Sequence, residues 1–326
     1  MALEPRSRII VTGGAGFIGS QLIRELNNRG MDQILVADFL GTDEKWRNLV
    51  PLAFADYVDA GDLLEPLESG KLGKFDLVLH MGACSSTTER DAAYLMRNNY
   101  DYTRRLAEWS IKSGARFVYA SSAATYGDGT AGMDDSSDLA YLRRLRPLNM
   151  YGYSKHLFDL YASRNGLLER SAGIKYFNVF GPNEQHKGEM RSLVNKAYAQ
   201  VVNTGVIRLF KSYREEYRDG EQKRDFIYIK DAVSMTLHIA ATDKAVGLYN
   251  VGAGRAETWL DLANAVFAAM GREPKIEFID MPEEMKAKYQ YLTLANIARM
   301  RASGYAEPVT PLASAVRDYV TGYLAK

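Results

Sequence analysis

Short apolar runs bounded by polar or glycine residues recur through the first half of the chain: Arg8-Ile9-Ile10-Val11, Gln33-Ile34-Leu35-Val36-Ala37, Phe75-Asp76-Leu77-Val78-Leu79-His80 and Arg116-Phe117-Val118-Tyr119-Ala120. Runs so nearly continuous in hydrophobic residues suit strands covered on both faces. Between them the spacing predicts helices over Gly16 to Leu26, over about Thr88 to Lys112, and around Tyr151 and Lys155. Strand and helix in alternation predict an α/β fold with a doubly wound parallel sheet. A further strand is expected at Gly173-Ile174-Lys175-Tyr176-Phe177-Asn178, after which the alternation becomes irregular. Glu189 to Asn203 is expected to be helical, Arg208 to Arg224 is crowded with charge, and Asp225 to Ile229 and Leu248 to Val251 are expected strands. Trp259 to Met270 follows helical periodicity and is expected to fill core.

Composition narrows the function classes. In 326 residues, 41 basic and 40 acidic side chains nearly cancel, so no whole-chain basic field for nucleic acid is expected. A single Cys cannot form an intramolecular disulfide, and neither a signal-peptide pattern nor an apolar run of membrane-spanning length is visible, so the expected location is cytoplasmic. The four His residues show no metal-ligand spacing, and no metal is expected.

The chemistry begins at Thr12-Gly13-Gly14-Ala15-Gly16-Phe17-Ile18-Gly19, placed between the first strand and the first helix. Gly13 suits a tight turn, Gly16 lets backbone approach a pyrophosphate, and Gly19 allows helix to pack on strand, with the helix N-terminus favouring phosphate charge. Asp38 ends the second expected strand, 19 residues beyond Gly19, where a carboxylate can hydrogen-bond an adenosine ribose. The fold is therefore expected to be Rossmann-type. Residues 1–175 are expected to form the dinucleotide-binding domain, with returning segments near 225–251. Residues 176–326 are expected to form mainly a smaller mixed α/β substrate domain.

Tyr151 and Lys155 lie four residues apart, on one helical face. A phenol has a free pKa near ~10 and needs a neighbouring cation to act as a base near neutrality. Lys155 can supply that charge, and Ser122, at the end of the Arg116 strand, can hold a substrate oxygen while Tyr151 exchanges its proton. The set suits alcohol-to-ketone interconversion with hydride passing to a nicotinamide. Each residue also has an ordinary reading, as an amphipathic helix pair or a strand-end cap.

These motifs, with Tyr119 to Gly127 and Tyr151-Gly152-Tyr153-Ser154-Lys155, resemble the extended short-chain dehydrogenase/reductases that modify nucleotide sugars. Within them, His80 to Glu89, Arg97-Asn98-Asn99-Tyr100, Tyr176 to Pro182 and His186-Lys187-Gly188 resemble the ADP-heptose 6-epimerases over about Arg8 to Tyr323. The resemblance implies inversion at C6 of ADP-heptose, a lipopolysaccharide inner-core precursor, through a transient ketone. It makes Tyr151 one proton handler and Lys187 the other, with Ser122 and Lys155 in support. It implies cofactor contacts at Phe17, Ile18, Asp38, Phe39, Lys45, Met81, Gly82, Ala83, Cys84, Ser85, Asn98, Lys155, Val179 and Lys187. Substrate contacts are implied at Asn178, Glu189, Lys196, Phe210, Lys211, Ser212, Tyr213, Arg224 and Tyr289, of which Arg224 offers a planar fork suited to a diphosphate. NADP is the expected cofactor, with NAD the alternative. Phe39 and Ala60 stand where a familiar form of the family has Asn and Lys, Asp38 alone favours NAD, and Lys45 could neutralise a 2′-phosphate. A homo-oligomer is implied, a pentamer among the possible sizes.

The competing readings are another nucleotide-sugar epimerase, a 4,6-dehydratase, and a non-catalytic dinucleotide sensor. A dehydratase would want an acidic side chain beside the active hydroxyl, where Ala123 and Ala124 follow Ser122. Cys84 lacks an identifiable His partner and is expected to be a compact packing residue. His186 is expected either to orient the Lys187 loop or to be a hydrogen-bonded structural residue.

Overall fold

Seven parallel strands make the central sheet of the computed structural model, in the spatial order β11-β6-β5-β4-β1-β2-β3. The strands are β1 (Ile9–Thr12), β2 (Ile34–Asp38), β3 (Asp56–Asp59), β4 (Leu77–His80), β5 (Arg116–Ser122), β6 (Ser171–Tyr176), β7 (Asn178–Phe180), β8 (Ile207–Phe210), β9 (Lys223–Arg224), β10 (Phe226–Tyr228), β11 (Gly247–Val251), β12 (Glu257–Thr258) and β13 (Ile276–Ile279). The structure describes residues 3–286 and 289–326. Residues 1, 2, 287 and 288, which fall within the expected domain ranges, lie outside the described residues.

Every residue of β1, β2, β4, β6 and β11 is buried, as the apolar runs require of strands covered on both faces. Thr12 pairs with both Ala37 and His80, so β1 is central and the strand order reverses between β1 and β4. Ligands of open α/β sheets bind outside the carboxyl ends of strands at such a switch point. β3 had no apolar run to announce it: Asp56-Tyr57-Val58-Asp59 is a partly exposed edge strand bounded by two carboxylates.

Three local expectations need correction. The segment Thr88 to Lys112 is not one α-helix. Asp91 caps a short helix Ala92–Leu95, a π-helical turn occupies Met96–Asp101, and an α-helix resumes at Tyr102–Ser113. The π turn directs Asn99 inward, where its amide donates to Cys84 O (2.9 Å) and Ser154 Oγ (3.0 Å) and its oxygen accepts Cys84 N–H (2.9 Å). The expected strand ending at Asn178 stops at Tyr176. Val179 N–H bonds back to Phe177 O, and Asn178 opens β7, which pairs with β10. The helix expected from Glu189 begins at Leu193, because Ser192 caps it by accepting Asn195 N–H and Gly188 (φ +53°) breaks the preceding 3-10 turn.

The second half of the chain adds small sheets, β8 with β13 in parallel and β9 with β12 antiparallel, and returns β11 to the edge of the main sheet beside β6. The helix Ile229–Ala241 packs against the first helix, β5 and β6. Among the described residues no helix is long and apolar enough to cross a membrane.

Candidate active site

β1 delivers the chain to a turn that contains little but backbone. Gly13 has φ +65°, and a Cβ there would stand 2.6 Å from Gly82 N. A Cβ on Gly19 would meet Gly13 O at 2.1 Å. Gly16 then caps the helix Phe17–Asn28 without any side-chain hydrogen bond to the first turn. The first N–H groups and the positive end of the helix dipole are thus left for an anion, which fits the diphosphate of a dinucleotide. Asp38, at the end of β2, is already engaged. One carboxylate oxygen accepts Ala15 N–H (2.9 Å) and the other meets Lys45 Nζ (2.9 Å).

From this turn a cavity of about 990 Å³ runs across the carboxyl ends of the strands into the second half of the chain. Its lining brings together Gly13, Gly16, Phe17, Ile18, Gly19, Asp38, Lys45, Met81, Ala83, Cys84, Ser85, Ser122, Tyr151, Lys155, Val179 and Lys187, along with Asn178, Glu189, Lys196, Phe210 and Tyr289. Residues spread over more than two hundred positions therefore share one space.

Ser122 ends β5 and caps the 3-10 turn Ala123–Tyr126, its oxygen accepting Ala124 N–H (3.1 Å). The cap uses the hydroxyl as acceptor and leaves its proton to be donated elsewhere. Tyr151 stands in the first turn of the helix Met150–Arg164, whose cap Asn149 accepts Gly152 N–H. Burial pushes the Tyr151 phenol above its ordinary value and Cys84 adds to the rise, while hydrogen bonding with Ser122 pulls it back. Lys155 donates to Ala120 O (2.8 Å). Burial lowers its ammonium to about 8, opposed chiefly by the carboxylate of Asp159. In this state Lys155 is held by the strand carbonyl, and Ser122 is the neighbour that favours phenolate at Tyr151.

Lys187 comes from a loop that the sequence could not place. Asn183 adopts a left-handed backbone (φ +78°), and its amide donates to Ser20 Oγ on the first helix (2.9 Å). Asn48 donates to Asn183 O (3.3 Å) and Gln21 to Pro182 O (3.4 Å). Buried Glu184 accepts Ser192 Oγ–H (2.6 Å), closing the loop at its other end. Lys187 Nζ consequently lies 5.4 Å from the Phe17 ring centroid. Burial lowers its pKa, with Glu184 opposing. His186 also lines the cavity, 3.5 Å from Asn48 Nδ2, and burial pushes it below its usual range.

Other expected contacts lie outside the cavity lining. Phe39 is 47% exposed and faces Gly61. Gly82 backs the Gly13 turn, donating to Thr12 Oγ1. The Asn98 amide is turned onto Asn99 Oδ1 (3.0 Å). Lys211 and Tyr213 both hydrogen-bond Asp280, and Ser212 N–H goes to Asp219. Arg224 is buried behind the wall, with its guanidinium 5.5 Å from the Trp259 centroid, 5.0 Å from the Tyr289 centroid and donating to Lys223 O. Trp259 packs against the core, as expected of the aromatic positions of its helix, but also reaches the site. It lines the cavity and donates to Tyr289 OH (2.8 Å), while Leu262, Ala263, Val266 and Phe267 are buried. Arg208, Gln200 and Met190 also join the lining. Their segments carried no motif by which the sequence could have nominated them.

A family model described as the NAD dependent epimerase/dehydratase family matches residues 9–252. The chain is 53% identical over 317 residues to an ADP-L-glycero-D-manno-heptose-6-epimerase of Nitratidesulfovibrio vulgaris strain DP4, covering 97% of this chain and 98% of that one. It is 42% identical to the enzyme of that name from Fusobacterium nucleatum subsp. nucleatum, covering 98% of each. The crystal structure of Helicobacter pylori ADP-L-glycero-D-manno-heptose-6-epimerase superimposes with TM-score 0.81 at 27% identity, covering 99% of this chain and 97% of that one. The chain belongs to the NAD dependent epimerase/dehydratase family, and within it to the ADP-L-glycero-D-manno-heptose-6-epimerases.

Proposed function

We propose that this protein converts ADP-D-glycero-D-manno-heptose to its L-glycero epimer for lipopolysaccharide inner-core synthesis, by transient oxidation at C6 and reduction from the opposite face. The observation that carries this reading is that Tyr151 and Lys187, two proton-handling side chains from unconnected segments, line the same cavity. An epimerase that passes through a ketone needs a proton handler for each orientation of the reacting oxygen.

The glycine turn, Asp38 and Lys45 would hold a nicotinamide dinucleotide, which when bound supplies a hydride acceptor in one half of the cycle and a hydride donor in the other. The proposed cofactor is NADP, with Lys45 meeting the 2′-phosphate; NAD is the alternative. Ser122 donates its free proton to the C6 oxygen, and Tyr151 takes the proton of the C6 hydroxyl as the ketone forms. Ammonium charge at Lys155 supports the phenolate that accepts this proton. Once the ketone has turned its other face, Lys187 meets the oxygen and donates a proton to it. Its lowered pKa makes the ammonium a readier acid near neutrality. Asn178, Glu189, Lys196, Phe210 and Tyr289 are the proposed sugar-nucleotide contacts. The assembly is proposed to be a cytoplasmic homo-oligomer, which its mass in solution checks.

Incubation of the purified protein with ADP-D-glycero-D-manno-heptose, followed by chromatography and NMR of the sugar, tests the reading. Accumulation of the L-glycero epimer supports it. A deoxy-keto sugar would point to a dehydratase, and unchanged substrate to another sugar or to a dinucleotide sensor.

A further inference from the structure

Behind the catalytic groups lies an ion pair without solvent contact. Lys175 Nζ of β6 and Asp159 Oδ2 of the Tyr151 helix are 2.6 Å apart, and neither side chain is exposed. Removing two charges from water is costly, and their attraction offsets the cost only when the remaining donors and acceptors are satisfied. Here they are. Asp159 also accepts Tyr119 O–H (2.8 Å) and Ser121 Oγ–H (2.8 Å), while Lys175 donates to Thr125 Oγ1 (2.7 Å) and lies 4.9 Å from the Tyr126 ring centroid.

The partners are not scattered. Tyr151, Lys155 and Asp159 recur every four residues along one helix, so they share a face. Ser121 immediately precedes Ser122, and Thr125 Oγ1 donates to Ser122 O (2.7 Å). The helix that carries Tyr151 and Lys155 thus grips the peptide that carries Ser122 from two directions. One grip runs from Asp159 to Ser121, the other from Asp159 through Lys175 and Thr125 to Ser122 O. A hydrophobic pair of similar volume could fill the same space and would hold neither link.

We propose that the Asp159–Lys175 pair is a positioning device for the reaction, locking the Ser122 strand end in register with Tyr151 and Lys155. The inference rests on the roles proposed above for those three residues. It makes Asp159, Lys175 and Thr125 positioning residues that touch neither substrate nor cofactor.

The test replaces the pair without leaving a lone charge, as Asp159→Leu with Lys175→Met in one chain. The full-length double variant should fold, melting somewhat below the wild type because Tyr119 O–H and Ser121 Oγ–H lose their buried acceptor. Its kcat should fall about 10- to 100-fold with KM little changed, the scale of a small misplacement of reacting groups. Amides of residues 121–126 should exchange with deuterium faster than in the wild type. Wild-type kcat and wild-type exchange in a folded double variant overturn the proposal. If the double variant does not fold, Thr125→Val decides, since it cuts the link to Ser122 O and leaves the ion pair intact. It should lower kcat and speed exchange at 121–126 with a modest drop in melting temperature from the lost Lys175 contact, and wild-type values of kcat and exchange overturn the proposal. If the wild type fails to turn over ADP-heptose, the substrate reading fails on its own, and the exchange measurement still decides the positioning role.

Discussion

Lys45 Nζ lies 2.9 Å from Asp38 Oδ1, so the carboxylate at the expected ribose position is compensated by the cation expected to read a 2′-phosphate. Both side chains are largely buried, which limits screening of the pair. Asp38 by itself would repel a 2′-phosphate, and Lys45 offsets that repulsion before any cofactor arrives. The proposed choice of cofactor therefore rests on the pair rather than on either residue.

Replacing Lys45 with Ala should expose the Asp38 charge to the cofactor. NADP affinity is expected to fall by about 10- to 100-fold, the loss of one charge-assisted contact of about 1.5–3 kcal/mol, with NAD affinity changed far less. Titration of each cofactor by fluorescence or calorimetry measures the difference. Equal losses for both would show that Lys45 does not meet a 2′-phosphate.

Tyr151→Phe removes one hydroxyl from a site otherwise held by Ser122 and the helix cap. Epimerisation should fall by about 100- to 10,000-fold, the usual contribution of a positioned acid or base, with cofactor affinity and melting temperature nearly unchanged. Near-normal turnover would sink the proposed role.

Lys187→Met keeps much of the side-chain length and loses the amine. Substrate binding measured by calorimetry should persist while inversion falls by about 100- to 10,000-fold. Should binding collapse while single-turnover rates on bound substrate stay unchanged, Lys187 is an anchor, and another group serves the opposite face.

His80 predicts an acid sensitivity. Thr103 Oγ1 donates to Asn99 O and so accepts the imidazole Nε2–H (2.8 Å), which leaves Nδ1 to accept from Thr12 Oγ1 (2.6 Å). The neutral ring is fully satisfied, and protonation at Nδ1 would face a donor. Burial, with Lys155 adding, lowers its pKa from 6.5 to about 3. The folded pKa is depressed, so the stabilisation is complete above 6.5 and is lost as pH falls toward 3, because the unfolded chain takes the proton first. Between pH 6.5 and 5 this one group should cost about 2 kcal/mol, at about 1.4 kcal/mol per unit. Denaturant melts of wild type and His80→Gln over that range should differ in slope. Parallel curves would assign the acid sensitivity elsewhere.

The chain order of the apolar runs was enough to predict a parallel α/β sheet, because strands covered on both faces must be continuously hydrophobic and announce themselves locally. The glycine turn was legible for a similar reason: Gly19 sits where a Cβ would collide with Gly13 O, a constraint that acts within a few residues, and Gly13 takes φ +65° in the tight turn itself. Tyr151 and Lys155 were legible because helical periodicity alone puts them on one face. β3 was not, since an edge strand need not be apolar. Nor was the break at Met96–Asp101, which follows from Asn99 reaching Cys84 and Ser154 rather than from any local propensity.

Lys187 shows where tertiary structure takes over. Its place in the cavity depends on Ser20, Gln21 and Asn48 holding the loop at Pro182 and Asn183, contacts between segments more than a hundred residues apart. Such contacts leave no period or spacing to read. The same holds for Arg224, whose guanidinium the fold sets behind Trp259 and Tyr289, and for Lys175, an unremarked lysine in a strand whose meaning comes from Asp159 on a neighbouring helix. Composition and periodicity report the free energy of burying a face of one element. Which charged side chain meets which across two elements is decided only when the elements pack, because desolvation leaves a buried charge no alternative to the partner the fold provides.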